Sequence, residues 1–236
     1  MTSTSPDEDP SVSPRSEKRS PGPRRRLSRE RIVDGAIRVI EAEGLSALSM
    51  RRLAEELRVV PGTLYTYVEN RTALETLVLD TVVERDGLPH QRPGIWRAQL
   101  EAGAWADWHL YKARPWILDL HKAAREVGPN MIRWIDSALR VFDGLGLTEH
   151  TKLHMINTLD AYIRGAATVH QETLHAEAPP PSSRSGEVAT AFAEAHALQR
   201  ALGDSARPFG DDRFAFGLRC LLDGFEQTVA SVTPKS

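Results

Sequence analysis

The stretch Ser49-Met50-Arg51-Arg52-Leu53-Ala54-Glu55-Glu56-Leu57-Arg58-Val59-Val60-Pro61-Gly62-Thr63-Leu64-Tyr65-Thr66-Tyr67-Val68 decides the reading of the fold. Ser49 is suited to cap a helix, because its hydroxyl can accept from an amide near the helix start that has no partner within the helix. Met50, Leu53, Ala54 and Leu57 then recur at three- and four-residue spacing, on one face of that helix. Pro61 fits the first position of a following helix, where its missing N–H costs nothing. Only Arg58, Val59 and Val60 separate the two helices, and Leu53 and Leu57 are placed to pack on Leu64 and Val68. Two short helices joined so tightly form a helix-turn-helix.

The same signals extend outward. Upstream, Ser28 caps a first helix carrying Ile32, Val33, Ala36, Ile37 and Ile40, which Gly44 ends. Downstream, Asn70 caps a fourth through Leu74, Leu77, Val78 and Val82, ending near Glu84 to Leu88. Further helices are expected from Ile95 to Tyr111, from Pro115 to about Ala124, from Pro129 through Phe142, and from a cap at Thr148 through Ala167. Ala178 to Ser183, with three prolines, reads as an exposed loop. One helix from about Glu187 to Leu202 and a last one carrying Phe214, Leu218, Leu222, Phe225 and Val229 complete the chain. Two-residue alternation is missing, so the expected class is all-α. Three parts follow: an arm over 1–27, poor in apolar residues and rich in Ser, Pro and Arg; a helix-turn-helix domain over 28–75; and a larger helical domain over 76–236.

The chain has 236 residues, is 41% hydrophobic and carries a net charge of −2. A single cysteine, Cys220, excludes an intramolecular disulfide framework and a multi-cysteine zinc site, and its type reads as a small buried hydrophobe. No run approaches the roughly 20 apolar residues of a membrane span, and Met1 to Pro14 is acidic, unlike a signal peptide. The expected compartment is the cytoplasm, with no membrane partner. The near-neutral total conceals a partition: −3 over residues 1–14, +5 over 15–71 and −4 over 72–236. The basic block coincides with the helix-turn-helix, and the local field is what a polyanion meets.

A helix-turn-helix reads DNA by laying its second helix in the major groove while the first braces it across the backbone. With Leu64 and Val68 turned inward, Pro61, Gly62, Thr63, Tyr65, Thr66 and Tyr67 stand at or near the DNA side. Hydroxyls of Tyr and Thr can bond phosphate oxygens, a Thr methyl can touch a thymine methyl, and Arg51 or Arg52 can reach phosphate or guanine. Ser49 sits at a helix N-terminus whose amides can face a phosphate. The alternative for Tyr65 and Tyr67 is that they cover the small domain's core. Arg24, Arg25 and Arg26 can lie in a minor groove or along phosphates, or form a solvated tail.

The segment Ser28 to Leu79, with Leu48-Ser49-Met50-Arg51-Arg52-Leu53-Ala54-Glu55-Glu56-Leu57, Thr63-Leu64-Tyr65-Thr66-Tyr67-Val68 and Asn70-Arg71-Thr72-Ala73-Leu74, resembles the DNA-binding domain of the tetracycline-repressor (TetR) family. More loosely, Gly128-Pro129-Asn130, Phe214-Ala215-Phe216-Gly217-Leu218 and Leu222-Asp223-Gly224 resemble the C-terminal domain of the tetracycline-repressor subgroup. The resemblance implies a homodimeric transcriptional repressor released from a palindromic double-stranded DNA operator by a small-molecule effector. It matches Arg51 to a base-contacting arginine, Pro61 to Tyr67 to the recognition helix, and Arg71 to a phosphate-binding residue at the start of the fourth helix. It also implies a four-helix dimer interface from the long helix after Thr148 and the last helix. Val60 and Pro61 depart from the polar base-readers common in the family.

All five tryptophans, Trp96, Trp105, Trp108, Trp116 and Trp134, fall within 39 residues. Aromatic walls with a few polar groups suit a cavity for a largely apolar molecule, and Trp105, Trp108, His109, Trp116, Met131, Trp134, Met155, Asn157, Asp160 and His170 are candidate lining residues. The alternative for each is ordinary core packing. His150 and His154 share a helix face, but a metal site needs more converging ligands, so no metal and no cofactor is expected. No nucleophile elbow, P-loop or dinucleotide fingerprint is present, so no catalytic residue is assigned and an enzyme is not expected. Two other readings stand beside the ligand-responsive repressor. One is a dimeric regulator without an inducer; the other is an all-α carrier or enzyme.

Overall fold

The computed structural model describes residues 27–123, 126–175, 186–202 and 209–232, which form eleven α-helices, two short 3-10 turns and no strand. The all-α expectation holds. Helix α1 (Arg29–Glu43) is capped by Ser28, whose Oγ accepts from the Arg31 amide, and it ends at Gly44 with φ 86°. A 3-10 turn (Leu45–Ala47) leads to α2 (Met50–Leu57), whose first turn is held by Ser49 Oγ accepting from the Arg52 amide at 3.1 Å. The chain turns at Arg58, a non-glycine residue with φ 56°, and Pro61 opens α3 (Pro61–Leu64). Only these four residues are α-helical. The recognition segment is shorter than the sequence pattern suggests and continues as a turn through Tyr65, Thr66 and Tyr67. The small core is Ile32, Ala36, Ile40, Leu53, Leu57, Leu64 and Val68. Gly35 permits it: a Cβ there would stand 2.7 Å from Leu57 Cδ2, so only glycine lets α1 and α2 approach this closely.

Helix α4 (Arg71–Asp86) starts at Asn70, whose Oδ1 accepts from the Ala73 amide at 2.9 Å. It packs both on α1 and on the helices Trp116–Ala123 and Pro129–Arg140 of the larger part, so one helix touches both parts of the molecule. After a second 3-10 turn (Pro89–Gln91) come α5 (Trp96–Ala113), α6 (Trp116–Ala123), α7 (Pro129–Arg140) and the long α8 (Glu149–His175). The Thr148 hydroxyl accepts from the Thr151 amide, as its capping role requires. Where one helix is expected from about Glu187 to Leu202, the chain forms α9 (Gly186–Glu194) and α10 (His196–Leu202), broken at Ala195, an interruption that no capping or proline residue marks in the sequence. The last helix is α11 (Asp211–Val232). The arm up to residue 26 and the proline loop at 178–183 lie outside the described residues.

In the larger part, α5 packs on α8 and both pack on α11 around an aromatic stack. Trp108, fully buried, lies parallel to Phe214 with ring centroids 4.5 Å apart, and its indole N–H donates to Asp211 at 2.7 Å. Lys112 donates to the same carboxylate, so the start of α11 is tied to α5 twice. Cys220 corrects an expectation. It is exposed on α11, not buried, because it falls between the inward positions Leu218 and Leu222 of that helix.

Candidate functional site

Two regions are candidates for function, the recognition turn and a cavity in the larger part. At the first, Arg51 and Arg52 have different environments. Arg51 projects into solvent with 87% of its side chain exposed and only a 3.6 Å approach to Glu55. Arg52 donates from Nε to both oxygens of Glu43, at 2.9 and 3.2 Å, and lies 3.7 Å from Glu56. That contact holds the Glu43 carboxyl below its usual range, chiefly through the hydrogen bond, and ties α1 to α2.

Pro61, Gly62, Thr63, Tyr65 and Thr66 form a continuous exposed face. Tyr65 is the prominent side chain, half-exposed, and a Cβ added at Gly62 would meet nothing within 4 Å. The Thr66 hydroxyl donates to the Thr63 carbonyl and braces the turn. Tyr67 is half-buried, and its phenol donates to the Leu27 carbonyl at 2.8 Å. It therefore fastens the start of the described chain against the recognition turn. Arg71 reaches back to the Leu45 carbonyl and pairs with the buried Glu75 at 2.8 Å, supplying the counter-charge that a buried carboxylate requires. Its side chain is still 45% exposed beside the start of α4.

The second region is a cavity of about 290 Å³ enclosed by α4, α5, α6, α7 and α8. Leu79, Val83, Leu110, Met131, Trp134 and Ile135 supply apolar wall, and Asp86, Asp107, Tyr111, His121, Asn157, Asp160 and Arg164 supply polar groups. Of the residues singled out from sequence, Met131, Trp134, Asn157 and Asp160 line it. Trp105, Trp108, His109 and His170 belong instead to the stack around Phe214, where they pack α5 and α8 against α11. Met155 is buried core, and Trp116, at the start of α6, is half-buried with its indole N–H unpaired. Neither lines the cavity.

Asp107, Tyr111, His121 and Arg164 escaped the sequence reading. A signal existed for Asp107. It interrupts an inward stripe of Leu100, Gly103, Ala104, Trp108 and Tyr111, and a carboxylate on an apolar face needs a reason. Burial, with Asp86 and Asp160 nearby, pushes the Asp107 carboxyl up to about 7. Burial likewise raises the Tyr111 phenol and lowers the His121 imidazole, whose Nε2 lies 3.3 Å from the Tyr111 hydroxyl.

Cavity and recognition turn are joined through α4. Asp80, buried on that helix, accepts from the backbone amides of Asn130 and Met131, each at 2.9 Å, and so caps α7 from outside. Gly128 makes this approach possible, since a Cβ there would overlap the Asp80 carboxylate. In the last turn of α4, Arg85 pairs with Asp34 on α1 at 2.7 Å, and Arg114, just after α5, pairs with Glu41 at 3.0 Å. His150 and His154 do meet, with Nε2 atoms 3.1 Å apart, but no third potential metal ligand joins them among the described residues.

The sequence matches two family models: "Bacterial regulatory proteins, tetR family" over residues 32–74, and "Tetracyclin repressor-like, C-terminal domain" over residues 88–229. It is 34% identical over 229 residues to the HTH-type transcriptional repressor DrrR1 of Streptomyces coeruleorubidus, spanning 89% of this chain and 82% of that protein. Against the class E tetracycline repressor protein of Escherichia coli, identity is 25% over 214 residues, or 85% and 91% of the two chains. Among solved structures, apo ActR from Streptomyces coelicolor superimposes with a TM-score of 0.68 at 25% identity, covering 88% of this chain and 98% of that one. The same protein has been solved in complex with actinorhodin, with a TM-score of 0.67 at 24% identity, covering 86% and 99%. The exposed recognition turn, the rod that joins it to a cavity, and two family models that together span most of the sequence agree: the chain belongs to the TetR family of transcriptional regulators.

Proposed function

We infer that the chain is a homodimeric repressor, acting in the cytoplasm, that leaves a palindromic operator when a small molecule fills the cavity. The observation that carries this is α4. One helix starts at the recognition turn, lines the cavity with Leu79, Val83 and Asp86, and grips the α7 N-terminus through Asp80. A ligand seated against Met131 and Trp134 presses on α7, and the Asp80 contact transmits any shift to α4 and the DNA-reading head. Linkage then requires operator and ligand to weaken each other's binding by the same factor.

At the operator, Arg51 reads a base edge, while Thr63, Tyr65, Thr66 and Arg71 contact phosphates or thymine methyls. Arg52 supports them by fixing α2 on α1, and Ser49 by closing the first turn of α2. The second copy docks on the outer faces of α8 and α11. Val169, Leu174 and Phe216 are exposed there, and Cβ atoms at Gly165 and Gly224 would meet nothing within 4 Å, which leaves room for a neighbouring helix. Two-fold symmetry then presents two recognition turns to two half-sites.

The test starts by selecting bound duplexes from a random DNA library with the full-length chain. A two-fold symmetric consensus is expected, and binding that shows no sequence preference would overturn the reading. Release of the selected duplex is then measured against a panel of aromatic small molecules, with tryptophan fluorescence reporting occupancy beside Trp134. A molecule that occupies the cavity yet leaves operator affinity unchanged would favour a regulator without an inducer.

A further inference from the structure

The charges around the cavity do not balance: Glu126 at its rim is exposed to solvent, and of the four aspartates in its wall one lacks a partner among the described residues. Asp80 is occupied by the α7 amides, Asp86 pairs with Arg92 at 2.7 Å, and Asp160 pairs with Arg164. Asp107 lines the same cavity, and among the described residues no hydrogen bond or ion pair reaches its half-buried carboxyl. A carboxyl in such a place resists ionisation, because it has lost much of its water and no cation is paired with it in exchange. A site of this kind is completed by a positive charge that arrives with the ligand.

We propose that the effector is an aromatic molecule bearing one cationic nitrogen, with Asp107 as its counter-ion and Met131 and Trp134 as the apolar wall for its ring. This deepens the sensing role proposed above and rests on it. The volume suits a fused two- or three-ring body and leaves no room for a second copy. Anions are disfavoured, since Asp86, Asp107 and Asp160 stand in the wall and each nearby arginine is paired with one of them, although Arg164 keeps a buried Nε–H free for a neutral acceptor on the ligand. A neutral ligand would leave Asp107 without a partner.

The groups facing Asp107 set its response to pH. They are Asp86 on α4, Arg92 ahead of α5, Tyr111 on the same helix, and Asp160 and Arg164 on α8, with His121 of α6 behind Tyr111. In the empty cavity the carboxyl holds its proton up to about pH 7. A cation binds the ionised form, so affinity rises with pH through that value and falls below it.

The experiment compares naphthylmethylamine, naphthylmethanol and naphthoic acid, which share a ring and differ in charge, by quenching of tryptophan fluorescence and by calorimetry. At about pH 8 the amine is expected to bind the wild-type chain about tenfold more tightly than the alcohol, and the acid more weakly than either. The amine should lose about tenfold in affinity between about pH 8 and pH 6, although it stays protonated throughout, while the alcohol should be indifferent. In Asp107→Asn the preference for the amine should vanish, with the alcohol bound at least as well as before. Equal binding of amine and alcohol by the wild type, a preference that survives in Asp107→Asn, or no binding of any of the three would each overturn the proposal. Operator release is read in the same titrations. If the amine binds as expected but the selected duplex stays bound, the cation site stands and the regulatory role falls; if the alcohol releases the duplex as well as the amine does, the reverse holds.

Discussion

Arg51 and Arg52 adjoin on α2, yet the fold uses only one of them. The Arg52 guanidinium is engaged by Glu43 and approached by Glu56, whereas Arg51 faces solvent. Arg51→Ala should therefore weaken operator binding by about 1–3 kcal/mol, if its contact is bidentate to guanine, with an unchanged melting temperature. Arg52→Ala should lower the melting temperature only modestly, because solvent screens an ion pair this exposed. Gel-shift titration at fixed salt, beside thermal melting, separates the two. Asp107 yields a prediction of the opposite kind. Its carboxyl is raised from the ordinary value to about 7, so between about pH 4 and pH 7 the folded chain holds a proton that the unfolded chain has released. Stability from this group accordingly falls as pH rises through that window and stays low above it. Asp107→Asn should raise the melting temperature by several degrees at about pH 8 and change it least below about pH 3, where both states are protonated. A variant that melts lower than wild type at the higher pH would contradict the assignment.

Helix α4 and the start of α7 form the joint through which the proposed signal would pass. Asp80 satisfies two amides that no residue of α7 can reach, and its charge opposes the positive end of that helix dipole. Asp80→Ala should cost about 1–3 kcal/mol by leaving those amides unpaired, and should reduce the effect of ligand on operator affinity more than it reduces either affinity alone. Gly128→Ala reaches the same joint from the other side by forcing the Asp80 carboxylate away. Calorimetric titration of ligand with and without operator measures the coupling, and equal coupling in wild type and both variants would show that the joint carries no signal. The helices themselves were legible because their starts are marked: Ser28, Ser49 and Asn70 accept from orphan amides, and Pro61 removes one by lacking an N–H, each where the pattern places it. The break between α9 and α10 was not, since Ala195 is a strong helix former and nothing around it signals a stop.

Assembly follows from the faces that one chain leaves uncovered. Phe216 is 61% exposed on α11, with Arg219 over its ring, and Val169 and Leu174 are exposed on α8. Phe216→Glu should shift the sedimentation profile at micromolar concentration from dimer towards monomer and weaken operator binding with it, because one recognition turn then engages one half-site. A dimer that survives the substitution would move the interface elsewhere. The partition of charge bears on the same question. The DNA-reading block is basic and the remainder acidic, so operator affinity should fall steeply with added salt while ligand affinity in the buried cavity changes little.

The helical class, the helix-turn-helix and its outward face were written in local signals, caps and three-to-four-residue spacing, which act over one or two turns and need no knowledge of the rest of the chain. The cavity was not local. The five tryptophans all fall in the larger part, yet Trp105 and Trp108 went to the stack around Phe214, a residue more than 100 positions away, and of the five only Trp134 lines the cavity. Whether an aromatic lines a hole or fills one depends on which helix packs opposite it. The same holds for charge. Asp80, Asp86, Asp107 and Asp160 are equivalent as letters, and packing gave three of them partners while leaving Asp107 alone in the cavity.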